Sequence, residues 1–189
     1  MFCLRHAKRA CLFSAVAVLT LVFAYVPALG QTPIRFTEYS AKFLCGTPNT
    51  ANPFGLTAAV RPGTYATSIN IHNPNATFGG VAGLPVVFVK KVVVASPEGH
   101  PFNKPSPFRQ DILEPDFAEE VDCPIIYSML TPPPPPNTFI EGYFVIYAFS
   151  TAAGVPSELD VTDVVTATPQ IAGFGIATEI QTIAPRFIH

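Results

Sequence analysis

After the first 30 residues, the side chains best suited to acid–base or metal chemistry are the histidines His72, His100 and His189. Each is isolated, and none belongs to an HxH or HExxH pair, the spacings that bring two imidazoles to one metal ion. No serine lies in a GxSxG turn, which would expose it as a nucleophile. The sequence therefore predicts a protein that is not an enzyme and that needs no metal or other cofactor.

An alternative remains open around the segment "INIHNPN", which contains Asn70, His72 and Asn73. A hydrolase or a metal-dependent enzyme could use this turn if the fold brought Asp160 or Glu120 within hydrogen-bond reach of the histidine. The possible binding residues are thus Asn70, His72, Asn73 and Asp160. The simpler interpretation is that His72 follows the alternation of a strand and that its ring bonds a backbone group.

Acidic residues allow a third interpretation. Asp160 and Asp163 could hold a cation together with loop carbonyls, although no EF-hand spacing is present. Glu119 and Glu120 are adjacent, and adjacent residues of a strand point to opposite faces, so they do not form an acid–base pair. Solvated charges and turn caps explain all four acids more simply.

The amino terminus has the pattern of a secretory signal peptide. Arg5, Lys8 and Arg9 precede an apolar run from Ala10 to Val26, and small residues precede Gln31. The run is shorter than the roughly 20 residues of a membrane-spanning helix, which disfavours an uncleaved anchor. We therefore expect residues 1–30 to be cleaved and residues 31–189 to form one domain that is secreted or periplasmic.

The charge of this domain excludes one class of partner. Three of the 11 basic residues lie in the first 30 positions, which leaves eight against 13 acidic residues and a net charge of −5. Nucleic-acid binding requires a basic face or stripe, so nucleic acid is not an expected partner. No transmembrane segment is expected after cleavage, and the partner would be a protein or an envelope component.

Two of the four cysteines, Cys45 and Cys123, remain after cleavage. In an exported chain, two cysteines most simply form one disulfide. A reactive thiol or a metal site would need an activating base or further ligands nearby, and neither local sequence has a CxxC or a Cys–His pair.

Short apolar segments separated by Pro, Gly and Asn predict an all-β fold. "TEYSAKFLC" and "TYATSINIH" alternate with period two, and "LDVTDVVTA" and "FGIATEIQTI" supply two later strands. About seven such strands favour a single immunoglobulin-like β-sandwich, with a partly open barrel as the structural alternative.

Four segments carry more specific expectations. "TFIEGYFVIYAFS" is apolar on both faces and predicts a central strand buried on both sides. Lys90 and Lys91 interrupt a β-branched strand and predict a bulge or an edge device. The acids before Cys123 predict a turn leading into a strand near Val121–Ile126, with a helical turn over "PDFAEE" as the alternative. The run Pro132–Pro136 predicts a stiff loop between two strands rather than a ligand for an aromatic groove.

The chain also resembles a family of short, uncharacterised exported bacterial proteins. The resemblance rests on "YSAKFLCG", "PGTYATSINIHNP", "FVKKV", "LEPDFAEEVDC", "FIEGYFVI" and "LDVTDVVTA". It implies that the two cysteines are partners and that Asn70, His72, Asn73 and Asp160 belong to the shared framework. It implies no activity, and the proline run departs from the family pattern. The expected function is that of an exported, non-catalytic binding or structural module of the cell envelope or extracellular space.

Overall fold

A computed structural model describes residues 35–48, 63–75, 83–96, 98–101, 103–150, 157–169 and 176–188. The proposed signal peptide and His189 lie outside these ranges, so cleavage after residue 30 stays a prediction. Within the described ranges, no helix is long and apolar enough to cross a membrane.

Nine strands and one short helix form the described part of the fold. They are β1 Phe36–Cys45, β2 Gly63–His72, β3 Val86–Val94, β4 Arg109–Leu113, β5 Ala118–Asp122, α1 Cys123–Met129, β6 Ile140–Phe149, β7 Asp160–Pro169, β8 Ala177–Thr182 and β9 Arg186–Ile188. The strands make a five-stranded sheet in the order β4-β3-β6-β1-β9 and a four-stranded sheet in the order β5-β2-β7-β8. All neighbouring strands are antiparallel. The predicted all-β sandwich is confirmed, and the short strands β4 and β9 account for the excess over seven.

The core forms because every second residue of a strand points inward and most of these inward residues are apolar. In β1, the residues Tyr39, Ala41 and Phe43 are fully buried, and in β2 the residues Ile69 and Ile71 meet them from the other sheet. Burying each such large side chain contributes about 1.5–3 kcal/mol. The Tyr39 hydroxyl accepts a hydrogen bond from the backbone N–H of Leu159 at 2.7 Å, which satisfies the one polar group of that side chain.

The predicted disulfide joins Cys45, the last residue of β1, to Cys123, the first residue of α1. Both sulfurs are buried within the core cluster. The bridge therefore ties the five-stranded sheet to the helix that directly follows β5, an edge strand of the four-stranded sheet.

The strand predicted over Val121–Ile126 is wrong beyond Asp122. The chain turns into α1 there because the Asp122 carboxylate accepts a hydrogen bond from the N–H of Ile125 at 3.1 Å and so caps the helix. Pro124 lies in the first turn, where a missing N–H has no cost. The helical alternative over "PDFAEE" is also wrong, since Ala118–Asp122 pairs with β2 as a strand.

Lys90 and Lys91 are neither a bulge nor an edge device. β3 lies between β4 and β6, and its register to β6 runs without interruption from Phe88 to Val94. The alternation simply continues, so that Lys90 points inward in the same row as Phe88 and Val92. Lys91 points to the outer face of the sheet.

β6 is the central strand of the five-stranded sheet, as predicted. Its Phe144, Ile146 and Ala148 lie in the core. The expectation that the other face is equally buried is wrong, because the Tyr143 residue on that face is 49% exposed. The proline run lies in a loop, as predicted, but this loop connects α1 to β6 instead of two strands.

Candidate functional site

The structure brings His72 and Asp160 together, one of the two pairings predicted for the alternative enzyme site. His72 ends β2, directly opposite Asp160 in the register with β7. The ring Nδ1 lies 3.3 Å from Asp160 Oδ2, and Nε2 lies 3.3 Å from Asp116 Oδ1. The ring partners are therefore two carboxylates, and the expected backbone partner is wrong.

Asp116 is the member of this cluster that sequence reasoning missed. It lies in the turn between β4 and β5, with a positive φ of 65°. Its backbone N–H donates to the Asn73 carbonyl at 2.9 Å, which holds the turn beside the end of β2. In the sequence, only the Pro-Asp dipeptide indicates a turn here, and no spacing pattern relates Asp116 to His72.

Asn73 has a structural role. The residue is fully buried, and its Nδ2 donates to the carbonyls of Leu84 at 3.0 Å and Leu113 at 2.9 Å. Its Oδ1 accepts hydrogen bonds from the backbone N–H of Asn75 at 3.1 Å and from the Asn75 side chain at 2.9 Å. All the hydrogen-bonding capacity of the amide is used within the protein, so no group remains for a ligand.

Glu120 does not reach His72. It lies opposite Asn70 in the register between β2 and β5, and its Oε1 accepts a hydrogen bond from the Ser68 hydroxyl at 2.7 Å. The neighbouring Glu119 points inward to Lys90, which confirms that the two glutamates lie on opposite faces.

The Asp160 and Asp163 pair cannot hold one cation in the way considered above. Asp163 is buried on the inward face of β7, whereas Asp160 is exposed on the outer face, because an odd separation reverses the direction of the side chain. Burial raises the pKa of Asp163, with a smaller contribution from the negative charge of Glu179. Among the described residues, no group of three or more His, Cys, Asp or Glu side chains is arranged to hold a metal ion.

Lys90 forms a separate ionic cluster inside the sandwich. Its Nζ lies 2.8 Å from Asp111 Oδ2 and also contacts Glu119 Oε1. The ammonium group is 5.8 Å from the centroid of the Phe88 ring. Because both carboxylates are committed to this ammonium, the cluster serves packing rather than ligand binding.

One cavity lies on the outer face of the five-stranded sheet, beneath β8 and the segment that follows it. Its volume is about 660 Å³, and its walls include Glu38, Lys91, Tyr143, Tyr147, Gln181 and Arg186. A second cavity of about 450 Å³ is lined by residues of β1, β2, β6, β7 and the beginning of β8. We call these two cavities the β8 groove.

Aromatic rings and fixed charges line the larger cavity. Lys91 Nζ lies 5.3 Å from the centroid of the Tyr147 ring and 5.0 Å from that of Phe108. Glu38 pairs with Arg186 and accepts a hydrogen bond from the Ser40 hydroxyl at 3.0 Å. The surface thus combines a half-exposed tyrosine with charges of both signs held in place, which suits a ligand that is part apolar and part polar.

Comparison with known proteins gives no match. No family model fits the chain, and no characterised protein or solved structure is significantly similar to it.

Proposed function

We propose that this protein is an exported, non-catalytic binding module of the cell envelope or extracellular space, and that its ligand lies in the β8 groove. The observation that carries the proposal is the larger cavity of about 660 Å³, with Tyr143 exposed beside Lys91 and the Glu38–Arg186 pair. Aromatic side chains that remain half exposed on a rigid sheet contribute contact area at little entropic cost.

Two further observations support export. The first 30 residues have the charge and hydropathy pattern of a signal peptide, and a structural disulfide suits an oxidising compartment. The partner would be a protein or an envelope component that reaches the outer face of the five-stranded sheet.

The geometry around His72 supports the absence of catalysis. General-base catalysis needs one ring nitrogen directed at a hydroxyl, a thiol or a water on the substrate side. Here Nδ1 faces Asp160 and Nε2 faces Asp116, so both nitrogens are occupied by carboxylates. The cluster is better explained as a clamp between β2, β7 and the turn before β5.

A binding assay with matched variants tests the proposal. The oxidised chain from Gln31 is titrated against the envelope fraction of the producing cells, and the bound fraction is measured. Because truncating an aromatic anchor costs about 1–2 kcal/mol of binding, Tyr143→Ser should weaken binding about tenfold. Phe117→Ser changes an exposed aromatic residue outside the groove and should leave binding unchanged.

Two results contradict the proposal. The first is binding that Tyr143→Ser leaves intact. The second is hydrolytic activity of the wild type that His72→Ala abolishes, which would establish the enzyme alternative instead.

A further inference from the structure

β8 is the least protected edge strand in the described part of the fold. It has six residues, all of them exposed, and it contains neither lysine nor proline, the residues that commonly protect an edge. Ile180 at its centre is 71% exposed. An edge of this kind is a template for pairing with another strand.

The other three edges are shorter or better protected. β9 has three residues, and the five residues of β5 include Glu119, Glu120 and Asp122. β4 also has five residues, and its Arg109 guanidinium donates to the Ser128 carbonyl at 2.6 Å, which connects this strand to α1.

The register shows which backbone N–H and C=O groups of β8 point away from β7, toward the free edge of the sheet. The N–H of Ile183 donates to the Val161 carbonyl at 2.8 Å, in line with the register between β7 and β8. Bonded positions recur at every second residue of an antiparallel pair, so 177, 179 and 181 also bond to β7. Thr178, Ile180 and Thr182 therefore direct their backbone N–H and C=O groups to the free edge.

We propose that a second copy of this chain pairs with this edge, β8 against β8, antiparallel about a twofold axis at Ile180. In this register Ile180 lies opposite Ile180 of the second copy, Thr178 opposite Thr182, and Glu179 opposite Gln181. Thr178, Ile180 and Thr182 then each form two backbone hydrogen bonds with the residue opposite in the second copy, about six bonds in total. The four-stranded sheets of the two copies become one continuous sheet.

The sequence of β8 favours a second copy as the pairing partner, because two antiparallel β8 strands are complementary to each other. Isoleucine against isoleucine and threonine against threonine are favourable cross-strand pairs, and no two like charges face each other. A register shifted to a twofold axis at Glu179 would place two glutamates directly opposite each other, which is destabilising. Isologous pairing of this kind also closes the assembly at two copies.

The test is the mass of the oxidised chain from Gln31, measured by light scattering over a range of protein concentrations. The contact is small, so the mass should rise from one copy at low concentration toward two copies at high concentration. Ile180→Lys places two ammonium groups opposite each other and should hold the protein at the mass of one copy. Ile112→Lys is the matched control, because Ile112 is 56% exposed on the edge strand β4 and should leave the dimer intact.

A covalent readout makes the register testable even if the equilibrium is weak. Opposed residues in a bonded antiparallel pair have Cα atoms about 5.5 Å apart, within the range that a disulfide spans. Ile180→Cys should therefore give a disulfide-linked dimer on mild oxidation, and Ile112→Cys should not. The proposal is overturned if the protein has the mass of one copy at every concentration and Ile180→Cys also gives no disulfide-linked dimer. It is likewise overturned if a dimer forms and Ile180→Lys leaves it intact. It is also overturned if Ile112→Lys dissociates the dimer as well, since that would indicate general apolar association.

Discussion

Removing both carboxylates that face Lys90 should destabilise the protein far more than removing Lys90 itself. The Lys90 side chain is 5% exposed, whereas the side chains of Glu119 and Asp111 are 28% and 43% exposed. Loss of the carboxylates leaves a buried ammonium group without a counter-charge. Loss of the lysine leaves two carboxylates that can regain water.

The expected magnitudes follow from this difference in burial. The double variant Asp111→Asn with Glu119→Gln should lower the free energy of unfolding by about 3–5 kcal/mol, the usual cost of leaving a buried charge uncompensated. Lys90→Met keeps most of the apolar stem against Phe88, and it should change the free energy of unfolding by no more than about 1 kcal/mol. Domains of this size are stable by about 5–15 kcal/mol, so both variants should still fold.

Urea denaturation of the oxidised protein at pH 7 measures both values. A Lys90→Met variant that loses as much stability as the double variant would refute the reasoning, because it would show that the lysine contributes net stability through its charge. A double variant within about 1 kcal/mol of the wild type would refute it as well, because the ammonium group would then have another way to be solvated.

Three further predictions concern stability. Replacing Cys45 and Cys123 together by alanine should lower the free energy of unfolding, measured by urea denaturation, by up to about 4–5 kcal/mol. As a control, added reductant should lower the stability of the wild type but not of this variant. Asn73→Ala should cost about 3 kcal/mol in the same assay, since it leaves the buried Leu113 carbonyl and two partly buried backbone groups, the Leu84 carbonyl and the Asn75 N–H, without these partners. Asn75→Ala should cost less than half as much. The pKa of Asp163 is raised in the folded state, so its ionisation opposes folding as the pH rises above the unfolded value of 3.8. Asp163→Asn should therefore increase stability at pH 7 and leave it unchanged below that value, and an equal effect at both pH values would contradict the burial of this carboxylate.

Much of the fold could be predicted because apolar and polar residues alternate along its strands, which indicates the buried face of each strand. Tyr39, Ala41 and Phe43 alternate with polar residues, and the structure places them in one buried row. The pairing of Cys45 with Cys123 followed from there being only two cysteines after residue 30. β4 and β9 escaped detection because they are short and because their apolar residues Ile112 and Phe187 are exposed, which obscures the alternation.

The wrong predictions arise mainly because the environment of a residue depends on contacts with residues that are distant along the chain. The sequence predicts a bulge or an edge device at Lys90 because its partner Glu119 comes from the other sheet, and nothing near Lys90 in the sequence indicates that partner. The helix at Cys123 depends on a cap by Asp122 within a segment that also has strand propensity. Tyr143 was assigned to burial because hydropathy does not reveal which face of a central strand remains uncovered.

The candidate site was only partly accessible to the same reasoning. The sequence names Asp160 as one of two possible partners of His72, but the second carboxylate comes from a turn whose position depends on the buried Asn73. The β8 groove joins residues that are more than 100 positions apart along the chain, such as Glu38 and Arg186. No local pattern could have brought them together.

The central claim is that an exported chain binds its ligand in the β8 groove, and in-cell photo-crosslinking tests it most directly. A benzophenone amino acid is introduced at position 143 in the cells that produce the protein, with position 117 as the control, and the intact mass of the recovered protein is measured after illumination. The account predicts a chain that begins at Gln31 and carries an adduct of one reproducible mass at position 143 but not at position 117. A chain that still begins at Met1, or equal labelling at the two positions, would contradict it.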